Sequence, residues 1–153
     1  MIVDSKCKAK KFSNRDVIRA LTFFDKQLLS EKMSPHVKVV VKTKSRKKLG
    51  GADGQCDWEA NDRGRVRDFK IDLCDKLSFD DMVKTLAHEM VHLKQYAKGE
   101  LKRLDKQNAS RYNGRVYKLE DTTYWDYPWE IEAYGREAGL YFRYTLHLDK
   151  KNS

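Results

Sequence analysis

Two histidines and a glutamate stand together in residues 85–93 (TLAHEMVHL). His88 and His92 are four residues apart, so on a helix they lie one turn apart on the same face and can bind one cation. Glu89 follows the first histidine and could take a proton from a nearby water without being a ligand itself. The alternative is an ordinary helix that carries two imidazoles by chance. The pattern predicts a zinc (Zn2+) site formed by His88 and His92, with Glu89 as the catalytic general base.

A catalytic zinc site needs a third protein ligand, which must come from another element. Residues 127–133 (YPWEIEA) offer two carboxylates at the predicted start of the last helix. Glu130 is favoured as the ligand because Ala133, three residues later, is small and would let two helices approach closely. Glu132 is the alternative ligand, and His147, the only later histidine, is a third option. An acidic residue in a first helical turn also complements the helix dipole, with or without a metal ion.

Other polar side chains near these segments could assist hydrolysis. Tyr134 and Tyr141 on the last helix are candidate donors to an oxyanion, as is His147, although such tyrosines also pack in cores. Gln95, about one turn after the second histidine, could line a cleft, support a ligand or lie on the surface. An aromatic segment is expected to form the entry wall of the cleft or a small separate core; it contains Tyr124, Trp125, Asp126, Tyr127 and Trp129.

Three helices are predicted to position these residues. Residues 13–16 (SNRD) and 78–81 (SFDD) both resemble capping boxes, in which a serine and a carboxylate three residues later satisfy free backbone N–H groups. The first helix is predicted to end at Ser34-Pro35, and the second near Lys98, before Gly99. Pro128 suits the first turn of a last helix that extends to about residue 148.

Three strands are predicted between the first two helices. Residues 36–41 (HVKVVV) form a β-branched run that is typical of a strand. Residues 55–60 and 66–73 flank a turn at residues 61–64 (NDRG) and so predict a hairpin.

The segment from residue 100 to 126 is predicted to be irregular, with a turn at Asn113-Gly114 and a strand at 116–119. The whole order is helix, three-stranded sheet, helix, irregular segment and helix. It predicts a single α+β domain over residues 1–153, with a basic N-terminal third.

Positive charge is concentrated at the start of the chain. Residues 1–50 contain 14 lysines and arginines against 4 acidic residues, whereas the whole chain has a net charge of +9. Such a segment can contact nucleic acid by releasing counterions from phosphates, or it can simply form a solvated surface. Residues 1–50 are therefore a candidate nucleic-acid contact.

The cysteines and the start of the chain indicate a cytoplasmic location. Cys7, Cys56 and Cys74 are odd in number and far apart, which argues against a disulfide framework and against a cysteine zinc ribbon. The first residues lack the apolar region of a signal peptide, and no apolar run is long enough to cross a membrane. We expect neither secretion nor a membrane partner.

Two segments, HEMVHLKQ and PWEIEAYGREAGLY, resemble the zincin metallopeptidases whose third ligand is a glutamate, the gluzincins. They are also similar to small SprT-like or Spartan-like peptidase domains, including phage-encoded forms that act in the host cytoplasm. The resemblance covers about residues 36–145. It implies a helix–sheet–helix core, a metal between the two late helices held by His88, His92 and a downstream acid, and Glu89 as base. It further implies that the strand at residues 36–41 pairs with an extended substrate through its edge.

Three functions are compatible with these features. The first is a zinc peptidase that hydrolyses protein or peptide substrates. The second is a nucleic-acid-binding module whose zinc is structural or inactive and whose basic N-terminal third binds the nucleic acid. The third is a protein that binds a host factor through a zincin scaffold with little or no hydrolysis. Glu89 favours the first, because a structural zinc site has no need of a glutamate beside the ion and usually has four closed ligands.

Overall fold

The periodic segments of the sequence form three helices and two β-sheets in the computed structural model, which describes every residue from Met1 to Ser153. This arrangement confirms the predicted α+β class. The helices are α1 (Asn14–Leu28), α2 (Phe79–Ala97) and α3 (Pro128–Asn152). The strands are β1 (Ile2–Lys6), β2 (Lys38–Lys44), β3 (Gly54–Ala60), β4 (Val66–Cys74), β5 (Leu101–Leu104), β6 (Ala109–Tyr112) and β7 (Arg115–Lys118).

The first sheet has four strands in the order β1-β2-β4-β3, one more than the three that the sequence predicts. The additional strand is β1, which pairs in parallel with β2 from Ile2 opposite Lys38 to Lys6 opposite Lys42. The hairpin of β3 and β4 is confirmed and is antiparallel. Because β2 is hydrogen-bonded to β1 on one side and to β4 on the other, it has no free edge. The expectation that residues 36–41 pair with a substrate is therefore wrong. The edge strands of this sheet are β1 and β3, and β3 belongs to the hairpin.

The helix starts follow the predicted caps. The Ser13 side chain accepts a hydrogen bond from the Asp16 N–H, and the Asp16 carboxylate accepts one from the Ser13 N–H, so the capping box at α1 is complete. At α2, Ser78 accepts from the Asp81 N–H, but the reciprocal bond is not formed. Helix α1 ends at Leu28, before the predicted Ser34-Pro35 boundary, because Leu29 is already extended; a short 3-10 turn occupies Ser34–His36.

Helices α1 and α2 share one hydrophobic core with the first sheet. Four apolar residues at helical spacing form a stripe along α2 and are fully buried: Met82, Leu86, Met90 and Leu93. Burying a side chain of this size stabilises the fold by about 1.5–3 kcal/mol relative to leaving it in water. The stripe therefore fixes how α2 rotates on the sheet, and it leaves the histidine face of α2 directed towards α3.

Residues 100–126, predicted to be irregular apart from one strand, form the second sheet, an antiparallel meander in the order β5-β6-β7. The strand predicted at residues 116–119 is confirmed as β7, one residue earlier. The turn between β6 and β7 is confirmed, since Asn113 and Gly114 have φ values of 48° and 85°. These strands are only four residues long and half of their residues are exposed, so they lack the regular apolar alternation from which strands are predicted. No helix in the protein has the length and apolar character that crossing a bilayer requires.

Candidate metal centre

The two late helices pack against each other in antiparallel fashion. Near the start of α2, Asp80 accepts a hydrogen bond from Tyr141 Oη at 2.9 Å. Further along, His88 contacts Glu137, and Lys94, near the end of α2, forms an ion pair with Glu132. The histidine face of α2 therefore lies against the N-terminal turns of α3, where the predicted third ligand is found.

Three buried ligand atoms converge between these helices. His88 Nε2 and His92 Nε2 are 3.2 Å apart. Glu130 Oε2 lies 3.3 Å from His88 Nε2, and Glu130 Oε1 lies 3.3 Å from His92 Nε2. An ion in tetrahedral coordination with bonds of about 2.0–2.1 Å needs ligand atoms about 3.3 Å apart. His88, His92 and Glu130 are therefore close enough to hold a metal ion.

Hydrogen bonds from the other ring nitrogens direct the Nε2 lone pairs to this point. His88 Nδ1 is 3.1 Å from Glu137 Oε2, and an ionised carboxylate can only accept, so Nδ1 carries the proton. Gln95 Nε2 donates to the Trp129 carbonyl oxygen at 2.9 Å. Gln95 Oε1 is therefore the acceptor for His92 Nδ1, at 2.9 Å. In both neutral imidazoles Nε2 is then unprotonated, as a metal ligand must be.

Gln95 also connects two of the three ligands. It is fully buried, which excludes the surface role that was considered for it. Its amide group bridges His92 to the backbone of Trp129, the residue before Glu130. The side chain thus sets the orientation of one imidazole and the position of the carboxylate-bearing turn of α3 together.

The two candidate carboxylates of the last helix have different partners. Glu130 faces both imidazoles and accepts a hydrogen bond from Tyr124 Oη at 2.9 Å. Glu132 pairs with the buried Lys94 and accepts from Tyr112 Oη at 2.8 Å, so it connects α3 to α2 and to the second sheet. The geometry therefore brings Glu130, rather than Glu132, to the two histidines.

The remaining candidates lie at different distances from the centre. The ring of Tyr134 packs edge-on against His88 with 4.4 Å between centroids, and its hydroxyl is 3.4 Å from that of Tyr124. Tyr141 instead bonds Asp80, at the opposite end of the helix pair. His147 packs on Phe23 of α1. It does not line either of the two cavities that contain His88 and Glu89.

The sequence did not reveal one supporting residue, Glu137, or the contact that a second, Tyr124, makes with Glu130. Glu137 lies seven residues after Glu130, which places both on the same face of α3, and this spacing was a signal that could have found it. Tyr124 was predicted to form part of an entry wall, but its bond to Glu130 depends on the path of the chain before α3. No local sequence pattern encodes that path.

Close packing of charges shifts the pKa values of the centre. Burial alone would lower the pKa of His88, but hydrogen bonds from its ring to Glu130 and Glu137 raise it to about 9. The pKa of His92 is also raised, since the Glu130 carboxylate outweighs burial. Burial would raise the pKa of Glu130, yet its bonds with the two imidazoles lower it to about 2. Without a metal ion, a proton on the imidazoles offsets the mutual repulsion of the three ligand atoms.

Glu89 lies in the cleft beside the ligands, and we call this cleft, of about 270 Å3, the metal cleft. Burial raises the pKa of Glu89 to about 6, while the neighbouring imidazoles oppose the shift. The edge strand β3 passes close by: a Cβ at Gly54 would lie 3.2 Å from Glu89 Oε1 and only 2.6 Å from Thr85 Cγ2. The residues of β3 that line the metal cleft are Gly54, Gln55, Cys56, Asp57 and Trp58.

Comparisons with known proteins gave no match to this chain: no family model, no curated protein and no solved structure matches it. The resemblance to SprT-like and Spartan-like domains therefore stays an expectation based on two sequence segments.

Metal binding is expected to weaken as the pH falls below about 9, because the ion must displace the proton that His88 holds. For each proton that metal binding releases, the apparent dissociation constant of the metal rises about tenfold when the pH falls by one unit. Competition with a chromophoric chelator between about pH 7 and 9 measures this slope, and calorimetry in buffers of different ionisation enthalpy counts the protons. An affinity that does not change over this range would contradict the assignment of His88 as a ligand.

Proposed function

We propose that this protein is a zinc-dependent peptidase of the SprT-like type, which hydrolyses amide bonds of protein or peptide substrates with Glu89 as general base. The observation that carries the proposal is the convergence of His88 Nε2, His92 Nε2 and the Glu130 carboxylate at 3.2–3.3 Å, in the same cleft as Glu89. Two imidazoles and one carboxylate suit zinc, and three protein ligands are the number typical of catalytic rather than structural zinc.

The chemistry is divided between the ion and the protein. When bound, zinc would polarise the substrate carbonyl and acidify a water molecule. Glu89 takes the proton from the attacking water and later gives it to the leaving amine. In the metal-free protein burial raises the pKa of Glu89 to about 6.

Two tyrosine hydroxyls can assist at the mouth of the cleft. Tyr124 Oη donates to Glu130 and holds the carboxylate in place. Tyr134 Oη lies 3.4 Å from Tyr124 Oη on a side chain that is 42% exposed, so it can turn towards a substrate carbonyl. We assign Tyr134 as the donor that stabilises the developing oxyanion. The position of Tyr141, bonded to Asp80, does not support this role.

The free edge of β3 supports a polypeptide as substrate. Because β3 pairs only with β4, the backbone N–H and C=O groups on its other edge have no strand partner, and the same strand lines the metal cleft. An extended peptide can add to such an edge and present successive amide bonds to Glu89. This edge takes the role that the sequence assigned to residues 36–41.

The cytoplasm is the compartment that fits best. All three cysteines, Cys7, Cys56 and Cys74, are free thiols. Unpaired thiols are typical of proteins in a reducing compartment.

Metal removal and restoration tests the proposal. Protein stripped with a strong chelator is expected to lose hydrolysis of an unfolded protein substrate, followed by mass spectrometry of the products. About one equivalent of Zn2+ per chain should restore the hydrolysis, since one three-ligand centre is present. Cleavage that persists at full rate in metal-free protein would refute a metal-dependent mechanism.

A further inference from the structure

A second cavity, of about 520 Å3, adjoins the metal cleft and shares Trp58, Tyr96 and Arg103 with it. It lies between the β3–β4 turn, the end of α2 and the second sheet. We call this cavity the basic trough, because six cationic side chains line it: Arg65, Arg67, Lys98, Lys102, Arg103 and Arg111.

The charges of the basic trough are poorly compensated within the protein. Its only acidic lining residue is Asp105, which lies 3.3 Å from Arg103 Nε. The other five cations form no salt bridge, although Arg67 is fixed by donating to the Val66 and Ala97 carbonyls at 2.7 and 2.8 Å. Positive groups gathered in a cavity repel one another and raise the local concentration of anions. The trough is therefore complementary to an anionic ligand.

The aromatic residues of the trough are not arranged as a platform for nucleic-acid bases. The rings of Trp58 and Tyr96 stack on each other with 3.6 Å between centroids. The Arg103 guanidinium lies over the same indole at 5.9 Å. Single-stranded nucleic acids bind through aromatic faces that are open to stacking. Carboxylates need only the guanidinium and ammonium groups, which are exposed on all the cations except the partly buried Arg67.

Strand β3 links the metal cleft to the basic trough. Gly54 lies against Glu89, whereas Trp58, Ala60 and the turn after them line the trough. A strand rises about 3.3 Å per residue, so the four steps from Gly54 to Trp58 span about 13 Å. A peptide that pairs with this edge and has its scissile bond near Glu89 would place residues about three to five positions away in the trough.

We propose that the basic trough binds acidic side chains of the substrate, on one flank of the scissile bond and about three to five residues from it. This proposal rests on the peptidase function proposed above, and it defines the substrate class as acidic polypeptides. It does not involve residues 1–50, of which only Met33 lines the trough. Their contact with nucleic acid stays a separate prediction.

Peptides that differ only in charge test the proposal. One peptide carries glutamates three to five residues from a central cleavable bond on both flanks, and its partner carries glutamines at the same positions. Affinity is measured by fluorescence anisotropy on metal-loaded Glu89→Gln protein, and kcat/KM is measured on the parent protein. We expect both the affinity and kcat/KM to be about tenfold higher for the acidic peptide at low salt. Several solvent-screened ion pairs, each of which contributes a small binding free energy, would add up to this preference. Peptides acidic on one flank only should then identify the flank that enters the trough.

Charge-reversed variants assign the effect to the trough. Lys102→Glu combined with Arg111→Glu should abolish the preference for the acidic peptide. Lys150→Glu combined with Lys151→Glu is the matched control: it changes the net charge equally, at an exposed site about 30 Å along α3 from Glu130. The control should keep the preference. Circular dichroism of all variants verifies that they are folded.

Several outcomes would overturn the proposal. Equal binding of the acidic and neutral peptides would do so, as would loss of the preference in the control variant. A single-stranded oligonucleotide of equal charge that binds through Lys102 and Arg111 more tightly than the acidic peptide would assign the trough to nucleic acid instead. If the acidic peptide binds through the trough but no metal-loaded protein cleaves it, the docking role is supported and the peptidase function is rejected. Failure of the docking role and failure of the peptidase function are therefore distinguishable.

Discussion

A Glu89→Gln protein is expected to hydrolyse peptides about 10²–10⁴-fold more slowly than the parent, because it lacks the carboxylate that we propose accepts the proton of water. Glutamine has nearly the same shape, and Glu89 is not one of the three converging ligands, so the variant should still bind metal. It should also fold, since it replaces a buried carboxylate, whose pKa burial raises, with a neutral amide. The measurements are kcat/KM and the number of metal ions per chain.

Glu137→Gln is the matched control for this variant. It also changes a carboxylate near His88 to an amide. Glu137, however, contacts His88 Nδ1 rather than the Nε2 atom at the centre, and a glutamine can still accept the hydrogen bond from Nδ1. We expect a loss of metal affinity of at most about 10–100-fold and a smaller loss of rate at saturating metal. Full activity in the Glu89→Gln protein would exclude Glu89 as the base. Equal losses in both variants would indicate a general electrostatic effect instead.

The second large effect is expected at Glu130. A Glu130→Gln protein should lose more metal affinity than the 10–100-fold that removal of a supporting residue costs, because it loses the anionic ligand of the centre. Loss of activity should accompany the loss of metal. Equilibrium dialysis with metal analysis measures the affinity, and peptide hydrolysis at increasing Zn2+ shows how much activity can be recovered.

Glu132→Gln separates the ligand role from the structural role. This variant should retain metal, but it weakens the ion pair with Lys94, a lysine that is 5% exposed and then relies on Glu100 at 2.9 Å. Weakening a buried charged pair is expected to lower the free energy of unfolding by about 1–3 kcal/mol, which denaturant titration of the metal-free proteins can detect. If Glu132→Gln loses the metal and Glu130→Gln keeps it, the identity of the third ligand is wrong.

Local sequence patterns were sufficient to predict the part of the candidate centre that lies on α2. The serine caps and the apolar stripe of α2 determine where that helix starts and how it faces the core. Once this is known, the four-residue spacing places His88 and His92 together without further information. Gln95 follows from the same helix geometry, although its bond to Trp129 does not.

The rest of the centre depends on contacts between distant parts of the chain. The choice of Glu130 over Glu132 is decided by the rotation of α3, and that rotation depends on Lys94 and on Tyr112 of the second sheet. Of this sheet only β7 and the turn before it were predicted, because the short strands are stabilised by pairing rather than by apolar alternation. Strand β1 was missed for a different reason: its pairing partner in β2 is 36 residues later in the chain, from Ile2 to Lys38.

The close approach at Gly54 restricts how proteins with this architecture could acquire new substrates. Any side chain there would press on Thr85 and Glu89 and push the edge strand outward, so this position is closed to variation. Gln55, Asp57 and Glu59 are exposed on the same strand and can change without moving it. If the proposed function holds, diversification of sequence preference should therefore accumulate at these alternate positions, while the glycine keeps the strand at a constant distance from the Glu89 carboxylate.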